Sequence, residues 1–466
     1  MPDVGGPLSA TLSPGLTVIG NHERRYDPLS RSQSLAAEAL PQAYAVRSLS
    51  VQNIAVLFLL TAFLVLPHGI GFDHPFGLPS LDLPRLSALL LNLVALSIFI
   101  HRIRNAKKLF LPAPQVQVCL VLIGAWQVLA ALASATPKGS LIWALGNWVM
   151  LWGLAFSVNA MSQFDGFSEQ LIKMLKAVAI ILALWAWGEW VTQDRVVTFR
   201  NTFPPHVLAN SLELNRMYRL SIGPYPCNHY LGILLCTLGG FLLMDRRRLL
   251  LGSLLIGGVL STGFVAGFVG FAIMLVLFGG LSRSWLAVIF LSVLLACTVT
   301  AITLGQPTGL QLPLEAPYAY LLAGSDNMSS PIMRIRNNEH MLHQALAHPI
   351  LGFGPGAVGD PARVPSALEF WTDTGGIIVH IVESGYIVGV VMIFILCMSI
   401  WKGIRSRDSI SQGGALGLIG FAFTQLSTPI AFFWGIAFII CGLIEYRARL
   451  AVRSDPRDVS ANGVLK

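Results

Sequence analysis

Charge is what this sequence has least of. Only 12% of its 466 residues are Asp, Glu, Lys or Arg, against about a quarter in soluble globular domains. With 54% hydrophobic residues and a mean hydropathy of +0.67, that scarcity argues against an ordinary soluble enzyme. Cysteine is sparse too, at six residues. Cys119, Cys236, Cys297, Cys397 and Cys441 fall inside apolar runs, where cysteine behaves as a small hydrophobe. Cys227 alone sits at a loop edge, so neither a disulfide framework nor a metal site is expected. No cleavable signal is expected: residues 1–46 are polar and rich in Gly, Ser and Pro, without the apolar stretch a signal needs. They read as a disordered tail.

What the chain has in abundance is apolar length. Runs near 20 residues recur from residue 50 to residue 446, and a run of about 20 residues spans a bilayer only as a helix, which satisfies its own backbone. The expected fold is all-α, a polytopic integral membrane protein with about twelve transmembrane helices and two long periplasmic loops. The spacing predicts helices near 50–67, 85–101, 115–134, 140–160, 173–191, 228–244, 249–262, 264–281, 286–304, 377–401, 413–427 and 430–446. The seventh and eighth are short and glycine-rich, and read either as two helices or as one kinked or re-entrant unit. The organisation is then a cytoplasmic tail over 1–49, helices one to five over 50–191, a periplasmic loop over 192–227, helices six to nine over 228–304, a second periplasmic loop over 305–376, helices ten to twelve over 377–446, and a cytoplasmic tail over 447–466.

The net charge of +8 does not imply nucleic acid, because its distribution follows this topology. With both termini inside, 22 of the 31 basic residues fall on the cytoplasmic side, the excess expected of a multi-pass membrane protein. The two long outer loops hold seven arginines, Arg195, Arg200, Arg216, Arg219, Arg334, Arg336 and Arg363, and no lysine. Topology treats the two residue types alike, whereas a guanidinium fork binds phosphate in bidentate fashion and stays charged when partly desolvated. Arginine also outnumbers lysine on the cytoplasmic side, so a general compositional preference stands beside the anion-site reading.

Two segments concentrate the polar chemistry. In the first, Arg219-Leu220-Ser221-Ile222-Gly223-Pro224-Tyr225-Pro226-Cys227 leads into Asn228-His229 at the start of an apolar helix. Asn228 suits an N-cap, and an anion beside Arg219 would meet the unpaired N–H groups of the helix start; an interfacial arginine meeting lipid headgroups is the alternative. In the second, Arg334-Ile335-Arg336 opens an amphipathic stretch over Asn337–Ala347 with Ile335, Met341, Leu342, Ala345 and Leu346 on its apolar face. It is expected to lie on the membrane surface and hold both arginines there. His348-Pro349-Ile350-Leu351-Gly352-Phe353-Gly354-Pro355-Gly356 then forms a tight turn. His340 and His343 with Glu339 fit metal spacing poorly. Trp371 and Asp373 share the same loop, where an indole beside a carboxylate suits a sugar, and His380 is an intramembrane histidine, a functional suspect by position.

The order and spacing of Arg334, the His348–Gly356 turn and Glu383-Ser384-Gly385-Tyr386-Ile387-Val388-Gly389 resemble the O-antigen ligase/polymerase superfamily, as does the Arg219–Asn228 segment followed by Gly232. The resemblance covers roughly residues 185–445. It implies a metal-independent, cofactor-free membrane glycosyltransferase acting on a glycan carried by undecaprenyl pyrophosphate. A chain-length regulator and a flippase of the same pathway are the implied partners, alongside membrane lipid. It makes Arg219 and Arg334 the first candidates for stabilising the pyrophosphate leaving group, with Arg216 and Arg336 in support. Asp373 and His380 become candidates for the base that orients or deprotonates the acceptor hydroxyl. Asn228, Trp371 and Glu383 complete the substrate-binding set, Glu383 being equally a structural residue.

The sequence departs from the family pattern twice. Thr374 stands where ligases carry a His-Asn pair, which favours a polymerase of exopolysaccharide or O-antigen over a ligase that transfers glycan to lipid A-core. Leu260-Ser261-Thr262-Gly263 lacks the arginine often found near that position. A transporter or flippase of polysaccharide precursors is the reading from another class. Internal repeats with broken helices would favour it, and no such repeat is visible. Trp143, Trp148, Trp152, Trp185, Trp187 and Trp190 read as an interfacial belt and helix packing.

Overall fold

The computed structural model describes residues 51–66, 71–72, 81–106, 111–164, 166–192, 225, 228–262, 264–304, 331–359, 375–425 and 433–453. The expected N-terminal tail, residues 454–466 of the expected C-terminal one, nearly all of the first long loop and much of the second lie outside these residues, while residues 447–453 of the expected C-terminal tail continue the last helix. What is described is helical apart from one two-residue antiparallel ladder, β1 (Gly71–Phe72) with β2 (Leu81–Asp82).

The helices in chain order are α1 (Val51–Val65), α2 (Leu83–Ala106), α3 (Pro114–Leu132), α4 (Pro137–Met161), α5 (Phe167–Thr192), α6 (Asn228–Leu243), α7 (Arg248–Ser261), α8 (Val265–Ser282), α9 (Trp285–Leu304), α10 (Pro331–Ala345), α11 (Gly376–Ser384), α12 (Tyr386–Arg405), α13 (Ser409–Gln425) and α14 (Trp434–Arg453). Five carry segments long and apolar enough to cross a membrane: Leu83–His101, Pro114–Leu132, Pro137–Met161, Phe167–Val191 and Tyr386–Arg405. Apolar side chains such as Leu93, Val276, Leu286, Val390 and Phe394 stay more than half exposed, an arrangement that suits a hydrocarbon solvent and would be an aggregation hazard in water. The protein therefore has the helices of a membrane protein.

Two expectations are revised and one open alternative is settled. The predicted helix over 377–401 is two helices, α11 and α12, broken at Gly385 with φ 83°. The glycine-rich pair α7 and α8 is two helices rather than one kinked unit. Leu235, Gly239 and Leu243 of α6 meet Gly258, Leu255 and Gly252 of α7 in antiparallel order, and the chain then turns back so that Gly267 of α8 lies beside Cys236. The amphipathic helix α10 begins at Pro331 and does not present its apolar face outward. Met341 and Ala345 are fully buried against Ile378, Val379, Ile381 and Val382 of α11, whereas Leu346 is exposed.

Small residues set the closest helix approach. Gly240 of α6 faces Gly413 and Gly417 of α13, and a Cβ on Gly413 would stand 3.0 Å from the Gly240 carbonyl oxygen. Where hydrocarbon surrounds a bundle, close backbone packing replaces the hydrophobic drive that holds helices together in water.

Basic residues gather at one end of the bundle. The Glu445 carboxylate of α14 accepts the N–H groups of Gln115 (3.1 Å) and Val116 (2.9 Å) at the start of α3, which places negative charge at the positive end of a helix dipole. Lys402 at the end of α12 reaches Gln115 at 2.6 Å. Arg447 holds Asp408 at 2.5 Å and Glu169 at 3.4 Å, and Lys176 pairs with Asp245 at 2.5 Å. Because α3 starts and α12 ends at this basic end, the α3–α4 hairpin and the start of α12 define the opposite end.

Candidate functional site

At that opposite end the glycine turn after α10 docks onto the α11–α12 break. Each contact has a sequence cause. Gly352, Gly354 and Gly356 all have positive φ, at 66°, 93° and 78°. That region is costly for residues bearing a Cβ. At Gly354 space forbids one as well, since it would lie 2.9 Å from Ser140 Oγ on α4. Two of the turn's amides donate across to α11, Phe353 N to Val382 O (2.9 Å) and Gly354 N to Glu383 O (2.9 Å), while Gly352 N closes an i→i−4 bond to His348 O (2.8 Å). Gly356 N donates to the Glu383 carboxylate at 2.9 Å. These N–H groups are committed to protein oxygens, so the turn acts as a latch on α11 rather than as an anion cradle.

The break itself is bonded across. Tyr386 N, the first amide of α12, donates to Pro349 O at 2.9 Å, and Gly385 N still reaches Ile381 O at 2.8 Å. Trp126 of α3 shares its indole N–H between Ile350 O (3.2 Å) and Ser384 O (3.1 Å), tying turn and break to the same side chain. The Tyr386 hydroxyl donates to Leu342 O at 3.0 Å. Asn338 Oδ1 accepts Gly375 N at 2.7 Å, joining α10 to the residue before α11. Helix α10, the turn, α11 and the end of α3 thus form one hydrogen-bonded assembly.

Of the sequence candidates, Glu383 lies inside this assembly, buried with 7% exposure. Arg334 and Arg336 belong to the first turns of α10, one helix upstream of the latch; of their side chains nothing is described. Asn228 is the first residue of α6. Arg216, Arg219, Trp371 and Asp373 lie outside the described residues. His380 is on α11 but points into the bundle, 1% exposed, with its ring 5.4 Å from Trp152 and 6.4 Å from Trp434. His343 and His348 are exposed, and His348 packs edge-on against Phe353 at 4.6 Å. Among the described residues no cluster of His, Cys, Asp or Glu could hold a metal.

Sequence reasoning missed two residues here. Trp126 carries no local signal for its double acceptor. Trp152, read with its neighbours as interfacial belt and helix packing, is fully buried, on a π-helical segment, Trp148–Trp152, inside α4. Its N–H donates to Gln127 at 2.8 Å. A π turn widens the helix and redirects a side chain, and such turns are frequent at functional sites.

Chemically, the assembly is rigid at its centre and basic in the sequence flanking it. It holds α10, with two arginines in its first turns, over the end of an apolar bundle through main-chain bonds that depend on glycine. No protein-family model matches the chain, and the search of curated proteins found no match either.

Proposed function

We propose that the protein is a metal-independent membrane glycosyltransferase that polymerises oligosaccharide repeats carried on undecaprenyl pyrophosphate, at the periplasmic face of a bacterial inner membrane. The observation that carries the reading is the latched assembly at the end opposite the basic one. An arginine-bearing amphipathic helix runs into a glycine turn that Glu383 fastens to a broken helix. By the charge distribution of the loops, that end is periplasmic. A lipid pyrophosphate leaving group requires cationic or hydrogen-bonding partners at a membrane edge, the task that Arg219 and Arg334 perform in this reading, with Arg216 and Arg336 beside them.

The acceptor hydroxyl is oriented or deprotonated by Asp373 or His380. The depth of His380 gives Asp373 the first claim, because a base must come within hydrogen-bond reach of its proton. Asn228 and Trp371 complete the substrate contacts, and Glu383 acts by positioning the turn.

The test is a substitution series, Arg219→Ala, Arg334→Ala, Asp373→Asn and His380→Ala, expressed in a strain deleted for the gene. Surface polysaccharide length is read by gel and protein level by blot. Single lipid-linked repeats in well-expressed arginine variants are the expected result. Polymer that forms on the carrier but never reaches lipid A would identify a ligase instead. Normal glycan in all four variants would remove the catalytic reading and favour transport.

A further inference from the structure

Inside the bundle, below the latch, five polar atoms on four side chains are buried without hydrogen-bond partners among the described residues. Both ring nitrogens of His380, the indole N–H of Trp434, the Oγ of Ser384 and the amide nitrogen of Gln127 are all in this state. Their residues are 1%, 1%, 0% and 1% exposed. They belong to one neighbourhood. Trp152 links Gln127, at 2.8 Å, to the His380 ring, at 5.4 Å between ring centres. Trp434 lies edge-on to His380 at 6.4 Å, and Ser384 is one helical turn beyond His380 on the same helix.

Leaving such groups dry is costly, about 1–3 kcal/mol for each unsatisfied donor or acceptor. In four different side chains from three helices the cost would accumulate at one place. The chemistry of the groups selects the occupant. Trp434 and Gln127 offer N–H donors only, whereas a neutral imidazole and the serine hydroxyl each offer one donor and an acceptor. The excess of donors excludes a metal cation. The aromatic walls, Trp152, Trp434 and Phe438, supply no counter-charge for an anion. A small neutral oxygen that both accepts and donates fits, and inside a polar, enclosed site that is water.

We infer that His380, Ser384, Trp434 and Gln127 enclose an internal hydration site, one or two ordered waters that bridge α11 to α3 and α14. The waters supply the hydrogen bonds that these side chains do not make to one another. The bridge fastens the inner face of α11, whose other groups hold the glycine turn. It does not depend on what the protein catalyses.

Hydroxyl radicals generated by X-ray radiolysis of bound water label the side chains that water touches, including ones closed to bulk solvent. The experiment irradiates the purified full chain in detergent and quantifies oxidation by mass spectrometry. Rates are normalised to each residue's intrinsic reactivity, with the buried Phe278 as the dry reference. Oxidation of His380, Trp152 and Trp434 several-fold faster than Phe278 is expected. The His380→Phe and Ser384→Ala variants should each lower labelling of Trp434 severalfold. Normalised rates equal to that of Phe278 in the wild-type protein overturn the inference whether or not a variant folds. Unchanged labelling of Trp434 in a folded His380→Phe protein overturns it as well.

Discussion

The carboxylate of Glu383 accepts the backbone N–H of Gly356 at 2.9 Å, across 27 residues of chain. The main-chain oxygen of the same residue takes the N–H of Gly354 at 2.9 Å. One residue of α11 thereby fixes two amides of the glycine turn, one through its side chain and one through its backbone. Only the first is open to mutation.

Glu383→Ala is expected to strand the buried Gly356 N–H, at a cost of about 1–3 kcal/mol. Glu383→Gln keeps an acceptor oxygen at the same place and should lose clearly less. Thermal unfolding in detergent would compare the two, with hydrogen exchange at residues 352–358 as the local readout. Equal losses in both variants would mean that the charge of Glu383, rather than its acceptor geometry, holds the turn.

Gly385→Ala tests the helix break. At φ 83° and ψ 169°, backbone that is nearly exclusive to glycine, an alanine adds strain of about 1–3 kcal/mol. Its Cβ would also press on the carbonyl oxygens of Ile350 and, at 2.9 Å, Pro349. The expected outcome is a lower melting temperature together with loss of exchange protection at Tyr386, whose N–H depends on Pro349 O. A variant as stable as wild type, with Tyr386 still protected, would contradict the account of the break.

The α6–α13 contact predicts a contrast between two glycines. A Cβ on Gly240 would run into the Gly413 carbonyl and the Gly417 backbone, whereas one on Gly280 meets nothing within 4 Å. Gly240→Ala should destabilise the bundle by about 1–3 kcal/mol, the usual range for overpacking. Gly280→Ala should be neutral or slightly stabilising, since alanine is the better helix former. Yield of monodisperse protein and melting temperature separate the two, and matching behaviour would refute close packing at this contact.

Acid should weaken the basic end through Asp408. Burial of its carboxyl works against ionisation, but hydrogen bonds from Arg447 and Ser411 and the charge of Arg447 outweigh it and hold the pKa below the ordinary 3.8. With the folded value depressed, this contribution to stability is fully present above the ordinary value. It disappears as pH falls through the lower, folded value. Melting temperatures measured between about pH 2.5 and 6 should drop less steeply at the acid end in Asp408→Asn than in wild type. An unchanged slope would show that Asp408 contributes no such linkage.

Much of this architecture is legible in the sequence, because its signals are local. Apolar run length marked the helices, so predicted and observed helix bounds agree within about six residues through α9. Glycine at 352, 354 and 356 marked the turn. The candidate site was less accessible. Glu383 is one carboxylate in an apolar run, and nothing near it in sequence announces Gly356 as its donor. The apolar face of α10 was visible as a pattern, but that pattern is the same whether lipid or α11 covers it.

By itself, then, the sequence determined the class of molecule, the positions of the helices and the glycine turn. Each of these follows from the solvation of a contiguous segment or the φ freedom of a single residue. Only the tertiary structure decided that the helix breaks at Gly385, that α10 packs on α11, that Glu383 latches the turn and that Trp152 meets His380 in the interior. Those outcomes turn on which distant group satisfies a freed amide or fills an apolar face, a choice among partners that no local stretch of chain contains.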